Sequence, residues 1–228
     1  MNVAIIVAAG RGTRAGGDAP KQFRALAGVP LIIRTLRRFE ACAVVDEIVL
    51  VAPVEETTFR VAPYRGELRK LARVVEGGAT RTGSVWRGLE PLKAGEVEIV
   101  AVHDGVRPFV TPEEIERTVR AAAQSGAAVL CAPVIDTIKV CEGGRIAQTL
   151  PRESLRRALT PQCFRYELLR RAYEHARAQG IEATDDSALV EMLGAVEVAV
   201  VEGDARNIKI TRPEDFAFAE LLLSESGE

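Results

Sequence analysis

Apolar runs alternate with helical patterns along the first half of the chain. The segments NVAIIVAA (2–9), DEIVLVAP (46–53) and VEIVAVHDG (97–105) are largely apolar on both faces, which is typical of central parallel strands. Between them, PLIIRTLRRFEA (30–41) and RTGSVWRGLEPL (81–92) place apolar residues at helical spacing. The β-α-β-α-β order predicts an α/β fold, with a doubly wound, mostly parallel Rossmann-like sheet and helices on both faces.

The best-defined helix is TPEEIERTVRAAAQSG (111–126). Thr111 is suited to the N-cap, Glu114 follows three residues later, and Gly126 can end the helix in a left-handed conformation. The apolar run AAVLCAPV (127–134) then predicts a further strand.

The alternation stops at DTIKVCEGGRIAQTLPR (136–152), which predicts two short strands around an EGG turn. The later segments predict two helices, two strands and a last helix: YELLRRAYEHARAQG (166–180), DDSALVEMLG (185–194), AVEVAVVEG (195–203), NIKIT (207–211) and PEDFAFAELLL (213–223). The chain shows no internal repeat, low-complexity segment or linker. We therefore expect one domain over residues 1–228, with a projecting arm at about 136–152.

Composition excludes several classes of function. The 228 residues carry a net charge of −2, so no general basic field attracts nucleic acid or a membrane surface. The sequence has neither a long apolar span nor the features of a signal peptide. Its four cysteines are scattered and it has only two histidines, which argues against a zinc site or a disulfide framework. We expect a cytoplasmic protein that binds no nucleic acid and no membrane.

The loop VAAGRGTRAGGDAPKQF (7–23) is rich in glycine and contains three cations. It follows the first predicted strand, and ligands of open α/β sheets bind at the carboxyl ends of strands. The loop departs from a dinucleotide fingerprint because its third glycine is displaced, and it lacks the Gly-Lys-Ser/Thr of a P-loop. Arg14 and Lys21 are suited to a site that stabilises charge on a polyphosphate. The alternative is a solvated loop with ordinary surface cations.

Seven motifs together indicate a family. AAGRGTR followed by PKQF resembles the nucleotide-binding signature of sugar-phosphate nucleotidyltransferases. With GGATRTGSV, VHDGVRP, PVIDTIK, TPQCF, ATDDS and EGDARNIKIT, the chain is similar over nearly its whole length to the 2-C-methyl-D-erythritol 4-phosphate cytidylyltransferase family. The resemblance implies transfer of a cytidylyl group from CTP to methylerythritol phosphate, with release of pyrophosphate, in the non-mevalonate synthesis of isoprenoid precursors.

The resemblance also implies roles for charged residues. Arg14 and Lys21 match cations that stabilise the transition state, and Lys209 matches the lysine that holds the two reacting phosphates together. Asp104 matches a carboxylate for Mg²⁺ or another divalent cation. The family dimerises through interlocked arms, so Arg152 is expected to reach the acceptor phosphate in the neighbouring subunit of a homodimer. Only five of the 30 basic residues are lysines, which favours specific roles for the two lysines.

Further positions follow from the same resemblance. The nucleotide-binding set is Ala8, Ala9, Gly10, Gly78, Ser84 and Gly105. The substrate-binding set is Arg107, Thr137 and Thr160. Ala79 departs from the family because some members carry an acid there, and Ala15 replaces a larger apolar residue.

Alternatives remain open at the sequence level. Asp104 could be a turn or capping residue, Lys209 an edge-strand residue, and Thr137 an ordinary strand residue. The arm could fold back on its own domain, leaving Arg152 as a surface cation. His103 precedes Asp104, but no nucleophile is placed to complete a hydrolase triad. The acceptor could be another pentitol phosphate such as ribitol 5-phosphate, or the chain could bind a nucleotide without turnover.

Overall fold

The structure, a computed structural model, describes residues 1–10 and 20–226. Its strands are β1 Asn2–Val7, β2 Ala25–Leu26, β3 Val29–Pro30, β4 Glu47–Val51, β5 Leu71–Val75, β6 Ile99–Asp104, β7 Ala127–Pro133, β8 Lys139–Glu142, β9 Arg145–Thr149, β10 Arg156–Arg165 and β11 Ala199–Glu202. Its α-helices are α1 Leu31–Ala41, α2 Val54–Val61, α3 Arg81–Leu89, α4 Pro112–Ser125, α5 Tyr166–Gln179, α6 Asp186–Leu193 and α7 Pro213–Ser226. None of these helices is both long and apolar enough to span a bilayer.

Seven strands form one sheet in the order β11-β7-β10-β6-β1-β4-β5. Strand β1 is an inner strand and pairs in parallel with both β4 and β6, so that Ile5 lies opposite Val49 and Val102. Strand β10 is antiparallel to its neighbours β6 and β7. The predicted doubly wound, mostly parallel sheet is confirmed.

Side chains of β1 enter the core on both faces of the sheet. Ala4 and Ile6 pack in a cluster with α1 and α4, whereas Val3 and Ile5 pack with α3, α5 and α6. All four residues are at most 1% exposed. Because a strand alternates its side chains, an uninterrupted apolar run is what a strand covered on both faces requires.

Helix α4 has the predicted ends. The Thr111 hydroxyl accepts from Glu114 N at 3.2 Å, and the Glu114 carboxylate accepts from Thr111 N at 3.0 Å, which completes a capping box. Gly126 ends the helix with φ of 91°, in the left-handed region that glycine adopts readily.

Two features differ from the sequence expectation. Strand β10 was not predicted, because Pro161 interrupts its pattern; the proline lies where the pairing with β7 shifts register, between Ala158 and Gln162. The predicted strand NIKIT (207–211) is wrong, since the segment joins no sheet. Side chains from elsewhere take its carbonyl groups instead: Arg107 donates to the Asn207 carbonyl and Lys21 to that of Ile210.

The predicted hairpin lies at the expected place. Strands β8 and β9 pair with each other and form a separate two-stranded sheet. Gly143 and Gly144 make the turn with φ of 55° and 76°. Strand β9 is exposed throughout, including Ile146 at 65%. The hairpin therefore leaves apolar surface uncovered within its own chain.

Candidate active site

A cavity of about 630 Å³ lies at the carboxyl edge of the parallel strands. Its walls come from the end of β1, the segment leading into α3, the end of β6 and the irregular segment 207–211. The lining residues are Val7, Ala8, Ala9, Gly10, Lys21, Gln22, Gly78, Ala79, Thr80, Arg81, Ser84, Asp104, Val106, Lys209 and Thr211. The sheet topology thus brings together the segments whose polar residues follow separate strands.

Backbone segments around this cavity pack too closely for side chains. A Cβ atom on Gly78 would lie 2.6 Å from the carbonyl carbon of Gly83. A Cβ atom on Gly105 would lie 2.9 Å from Ala8 Cβ and 2.8 Å from Ile32 Cδ1. Glycine lets segment 78 pack directly on Gly83, and it lets Gly105 pack behind Ala8.

Ser84 orders the start of α3. Its hydroxyl donates to the Thr80 carbonyl at 2.8 Å and accepts from Gly78 N at 3.1 Å. Thr80 caps the helix by accepting from Gly83 N at 3.0 Å. The Ser84 hydroxyl thus holds Gly78, a predicted nucleotide-binding residue, against the first turn of α3.

Asp104 is at the centre of a charged cluster. Its Oδ2 atom accepts from Lys209 Nζ at 3.0 Å and from Arg107 Nε at 3.1 Å, and its Oδ1 atom lies 3.6 Å from Arg81 Nε. Burial alone would raise the pKa of Asp104, but the charges of Lys209, Arg81 and Arg107 outweigh burial and hold the pKa well below its usual range. Asp104 is therefore a fixed anion that gathers three cations.

Arg81 is paired with a buried acid, Asp186. Asp186 is fully buried and accepts from Arg81 Nη1 at 3.0 Å and Nη2 at 2.7 Å, and it also accepts from the Tyr173 hydroxyl. Burial lowers the pKa of Arg81, yet the Asp186 charge overcomes this and raises it, so Arg81 stays charged. This pair was not predicted from the sequence; its signals were the arginine in GGATRTGSV and the acids in ATDDS.

A second cavity of about 240 Å³ adjoins the first. It is lined by Arg81, Asp104, Arg107, Ala158, Leu159, Thr160, Gln162, Thr184, Asp185 and Lys209. Arg81, Asp104 and Lys209 line both cavities. One charged wall therefore faces two spaces, an arrangement suited to bringing two anionic groups together.

The structure brings most of the predicted site residues to these cavities. Ala8, Ala9, Gly10, Lys21, Gly78, Ser84, Asp104 and Lys209 line the first cavity, while Asp104, Arg107, Thr160 and Lys209 line the second. Gly105 lies behind the first cavity, against Ala8. Arg14 lies outside the described residues.

Two predicted residues lie on the arm and line neither cavity of their own chain. Thr137 is exposed. Arg152 is also exposed, and its Nη1 atom donates to the Ile135 carbonyl at 3.0 Å. Their predicted roles in substrate binding therefore depend on a second subunit.

His103 is fully buried next to Asp104 in β6. Burial lowers its pKa to about 4, so the imidazole is neutral near pH 7. Its ring nitrogens contact the Thr160 hydroxyl and the Arg107 carbonyl. Neither contact is to the Asp104 carboxylate, so the pair does not have the geometry of a hydrolase triad.

The described residues offer little to hold a metal by themselves. Within residues 1–10 and 20–226, no group of three or more His, Cys, Asp or Glu side chains is arranged around a common point. Asp104 Oδ2 is already bonded to two cations, which leaves Oδ1 as its available oxygen. This single hard ligand fits Mg²⁺ that arrives with nucleotide phosphates, since Mg²⁺ is commonly held by one or two carboxylates plus substrate phosphates.

Comparison with known proteins identifies one family over nearly the whole chain. A family model described as 2-C-methyl-D-erythritol 4-phosphate cytidylyltransferase matches residues 2–225. The chain is 46% identical over 222 residues to the enzyme of that name from Geobacillus kaustophilus, covering 97% of this chain and 96% of that protein. A crystal structure of the Thermus thermophilus enzyme of that name is 38% identical with a TM-score of 0.78, covering 96% of this chain and 98% of that one.

A second solved structure extends the likeness. The 4-diphosphocytidyl-2C-methyl-D-erythritol synthase from Anaerococcus prevotii is 32% identical with a TM-score of 0.84, and 98% of each chain is covered. This chain belongs to the 2-C-methyl-D-erythritol 4-phosphate cytidylyltransferase family.

Proposed function

We propose that this protein transfers the cytidylyl group of CTP to 2-C-methyl-D-erythritol 4-phosphate, giving 4-diphosphocytidyl-2-C-methyl-D-erythritol and pyrophosphate. The observation that carries the proposal is the wall of Arg81, Asp104 and Lys209 shared by two adjoining cavities. The larger cavity would hold CTP and the smaller one the acceptor. Family membership supports CTP and 2-C-methyl-D-erythritol 4-phosphate as the two substrates.

The reaction is an in-line displacement at phosphorus. An oxygen of the acceptor phosphate attacks the α-phosphorus of CTP, and the bond from that phosphorus to the bridging oxygen of the β-phosphate breaks, so pyrophosphate leaves with the electron pair. A phosphate monoester has a second pKa near 6, so the nucleophile is already ionised and needs no general base. Catalysis then consists of positioning two anions and stabilising the transition state.

Cations on three segments would share that work. Lys209 would bridge the acceptor phosphate and the α-phosphate; its Nζ atom lies 3.0 Å from Asp104, and its side chain is 40% exposed. Lys21 and Arg14 would stabilise charge on the triphosphate. Arg107, bonded to Asp104 and to the Asn207 carbonyl, faces the acceptor cavity. Asp104 reduces the mutual repulsion of these cations before the substrates bind.

Mg²⁺ enters this proposal as part of the nucleotide substrate. Asp104 Oδ1 would supply one ligand and the triphosphate the remaining anionic oxygens. Bound there, the ion would neutralise charge on the transferring phosphate and the leaving group.

The base would be recognised mainly by the main chain. Ala8, Ala9 and Gly10 with Gly78 present backbone groups to the larger cavity, and Ser84 holds the Gly78 segment in place. Their small side chains leave room for close approach of the base, and we expect the pocket to exclude the larger purine rings by volume.

The active form is proposed to be a homodimer built through the arm. A two-stranded hairpin is marginally stable alone, and Ile146 and Ile135 are 65% and 80% exposed. A two-fold related copy is the simplest cover for such a surface. Arg152 and Thr137 would then reach the acceptor cavity of the neighbouring subunit.

A cytoplasmic location belongs to the same proposal. All four cysteines lie in the described part of the chain and are unpaired, as a reducing compartment favours.

Purified protein incubated with CTP, Mg²⁺ and each candidate acceptor tests the function. We expect pyrophosphate release with 2-C-methyl-D-erythritol 4-phosphate and far less with ribitol 5-phosphate; the reverse preference would assign the other pentitol. Binding of CTP without pyrophosphate release from any acceptor would instead support a nucleotide-binding regulator. Replacing CTP by UTP or ATP tests the base, and chelating Mg²⁺ tests the metal requirement.

A further inference from the structure

We infer that His103 is a positioning residue, which fixes Asp104, Arg107 and Thr160 through a closed loop of hydrogen bonds with one allowed direction. This inference rests on the proposed function for its kinetic consequence, but not for its geometry. His103 is fully buried and lines neither cavity.

The direction of each bond follows from the partners. The Arg107 carbonyl can only accept, so His103 Nε2, 3.1 Å away, must carry the ring proton. The ring is fully buried and both of its nitrogens contact uncharged oxygens, which favours the neutral imidazole. The other nitrogen then accepts, so the Thr160 hydroxyl, 2.9 Å away, donates to His103 Nδ1. The same hydroxyl oxygen accepts from Asp104 N at 3.2 Å.

A backbone bond closes the loop, because Arg107 N donates to the Asp104 carbonyl at 3.1 Å. The imidazole thus ties the turn 104–107 at both ends, at Arg107 directly and at Asp104 through Thr160. The turn carries the carboxylate and the guanidinium that meet at 3.1 Å in the acceptor cavity. Phe39 packs against the ring at a centroid distance of 4.8 Å and restricts its rotation.

The loop also determines what Thr160 can offer the acceptor. The Thr160 hydroxyl donates its proton to His103 Nδ1, and its oxygen accepts from Asp104 N. One lone pair of the hydroxyl oxygen is left. Thr160 can therefore accept from a hydroxyl group but cannot donate to a phosphate oxygen. Next to Arg107, this favours an acceptor that carries a hydroxyl close to its anionic group.

Nitrogen NMR of protein labelled at histidine tests the geometry without any assay of activity. At pH 7.5, His103 is expected to show a protonated Nε2 and an unprotonated Nδ1, with the exposed His175 as an internal comparison. The opposite tautomer would overturn the inference, whatever reaction the protein catalyses.

Kinetics test the consequence. His103→Gln keeps a donor for Arg107 but removes the acceptor for Thr160, and we expect kcat/KM for the acceptor to fall at least about tenfold while KM for CTP changes less than about twofold. Thr160→Val should lose as much, the double variant should lose no more than either single one, and Thr160→Ser should retain most activity. Tyr166→Phe removes a buried hydroxyl that donates to the Leu92 carbonyl and accepts from Arg170 Nη1. Tyr166 lines neither cavity, so this variant controls for lost stability alone.

The positioning role would be refuted if folded variants kept kcat/KM for the acceptor within about twofold of the wild type. It would also be refuted if the losses of the two single variants were fully additive in the double variant. If His103→Gln does not fold, the Thr160 series and the NMR result still decide. An inactive wild-type protein with the predicted tautomer would count against the proposed function and not against the hydrogen-bond loop.

Discussion

Asp186→Asn tests whether the buried acid behind Arg81 holds that arginine in place. The change keeps the shape of the side chain but removes its charge and one of two acceptor atoms. In the wild type, Oδ1 accepts from Arg81 Nη1 at 3.0 Å and from the Tyr173 hydroxyl, and Oδ2 accepts from Arg81 Nη2 at 2.7 Å. Asp186 is fully buried and the Arg81 side chain is 24% exposed, so water can replace little of what is lost. Breaking a buried pair by removing one partner costs about 3–5 kcal/mol.

Asp104 reduces that cost, because its Oδ1 atom stays 3.6 Å from Arg81 Nε. The asparagine oxygen can also still accept one hydrogen bond. We therefore expect the lower end, a loss of about 3 kcal/mol in the free energy of unfolding. For a chain of this size, that loss corresponds to a fall in Tm of about 6 to 12 °C.

Urea unfolding at fixed protein concentration, followed by circular dichroism, measures the change. Glu116→Gln is the matched control: its pair with Arg120 has a similar distance of 2.6 Å, but the two side chains are 37% and 68% exposed. The control should lose less than about 1 kcal/mol. A loss below about 1 kcal/mol for Asp186→Asn, or equal losses for both variants, would refute the view that this pair is strong because it is buried.

Other outcomes follow from the same geometry. Lys21→Ala should lower kcat about 10²-fold or more with a much smaller change in KM for CTP, because its stabilisation grows in the transition state; equal losses in both, by steady-state kinetics, would make it a ground-state anchor. Mixing Lys21→Ala chains with Arg152→Ala chains should restore about one quarter of wild-type activity, since half the dimers are mixed and each then holds one intact site. Verified subunit exchange without recovery would place Arg152 outside the neighbouring site. Burial lowers the pKa of His103 from 6.5 to about 4, so the unfolded chain binds the proton first as pH falls. The free energy of unfolding of the wild type relative to His103→Asn should therefore fall by about 3 kcal/mol from pH 6.5 to pH 4 and change little above pH 7. Parallel curves for the two proteins would contradict this.

The local sequence determined those helices, turns and strands that depend on residues a few positions apart. Three features depend only on residues that are close in sequence: the cap at Thr111, the glycine turn at 143–144 and the apolar run of β1. The helix end, the hairpin and the strand could therefore be predicted. The meeting of the strand-end loops at one cavity was predictable for a related reason. Loops that follow parallel strands must meet at one edge of the sheet, whatever the details of packing.

Tertiary structure decided the rest, because the deciding partners are distant in sequence. Arg81 and Asp186 are separated by 105 residues, and nothing in either local pattern pairs them. Strand β10 enters the sheet between β6 and β7 despite Pro161, since neighbours on both sides outweigh a weak local preference. Segment 207–211 has strand propensity but joins no sheet, and the distant side chains of Arg107 and Lys21 donate to its carbonyl groups. The motifs thus indicated which chemistry the chain carries, while long-range contacts decided how Asp104 gathers its cations between the two cavities.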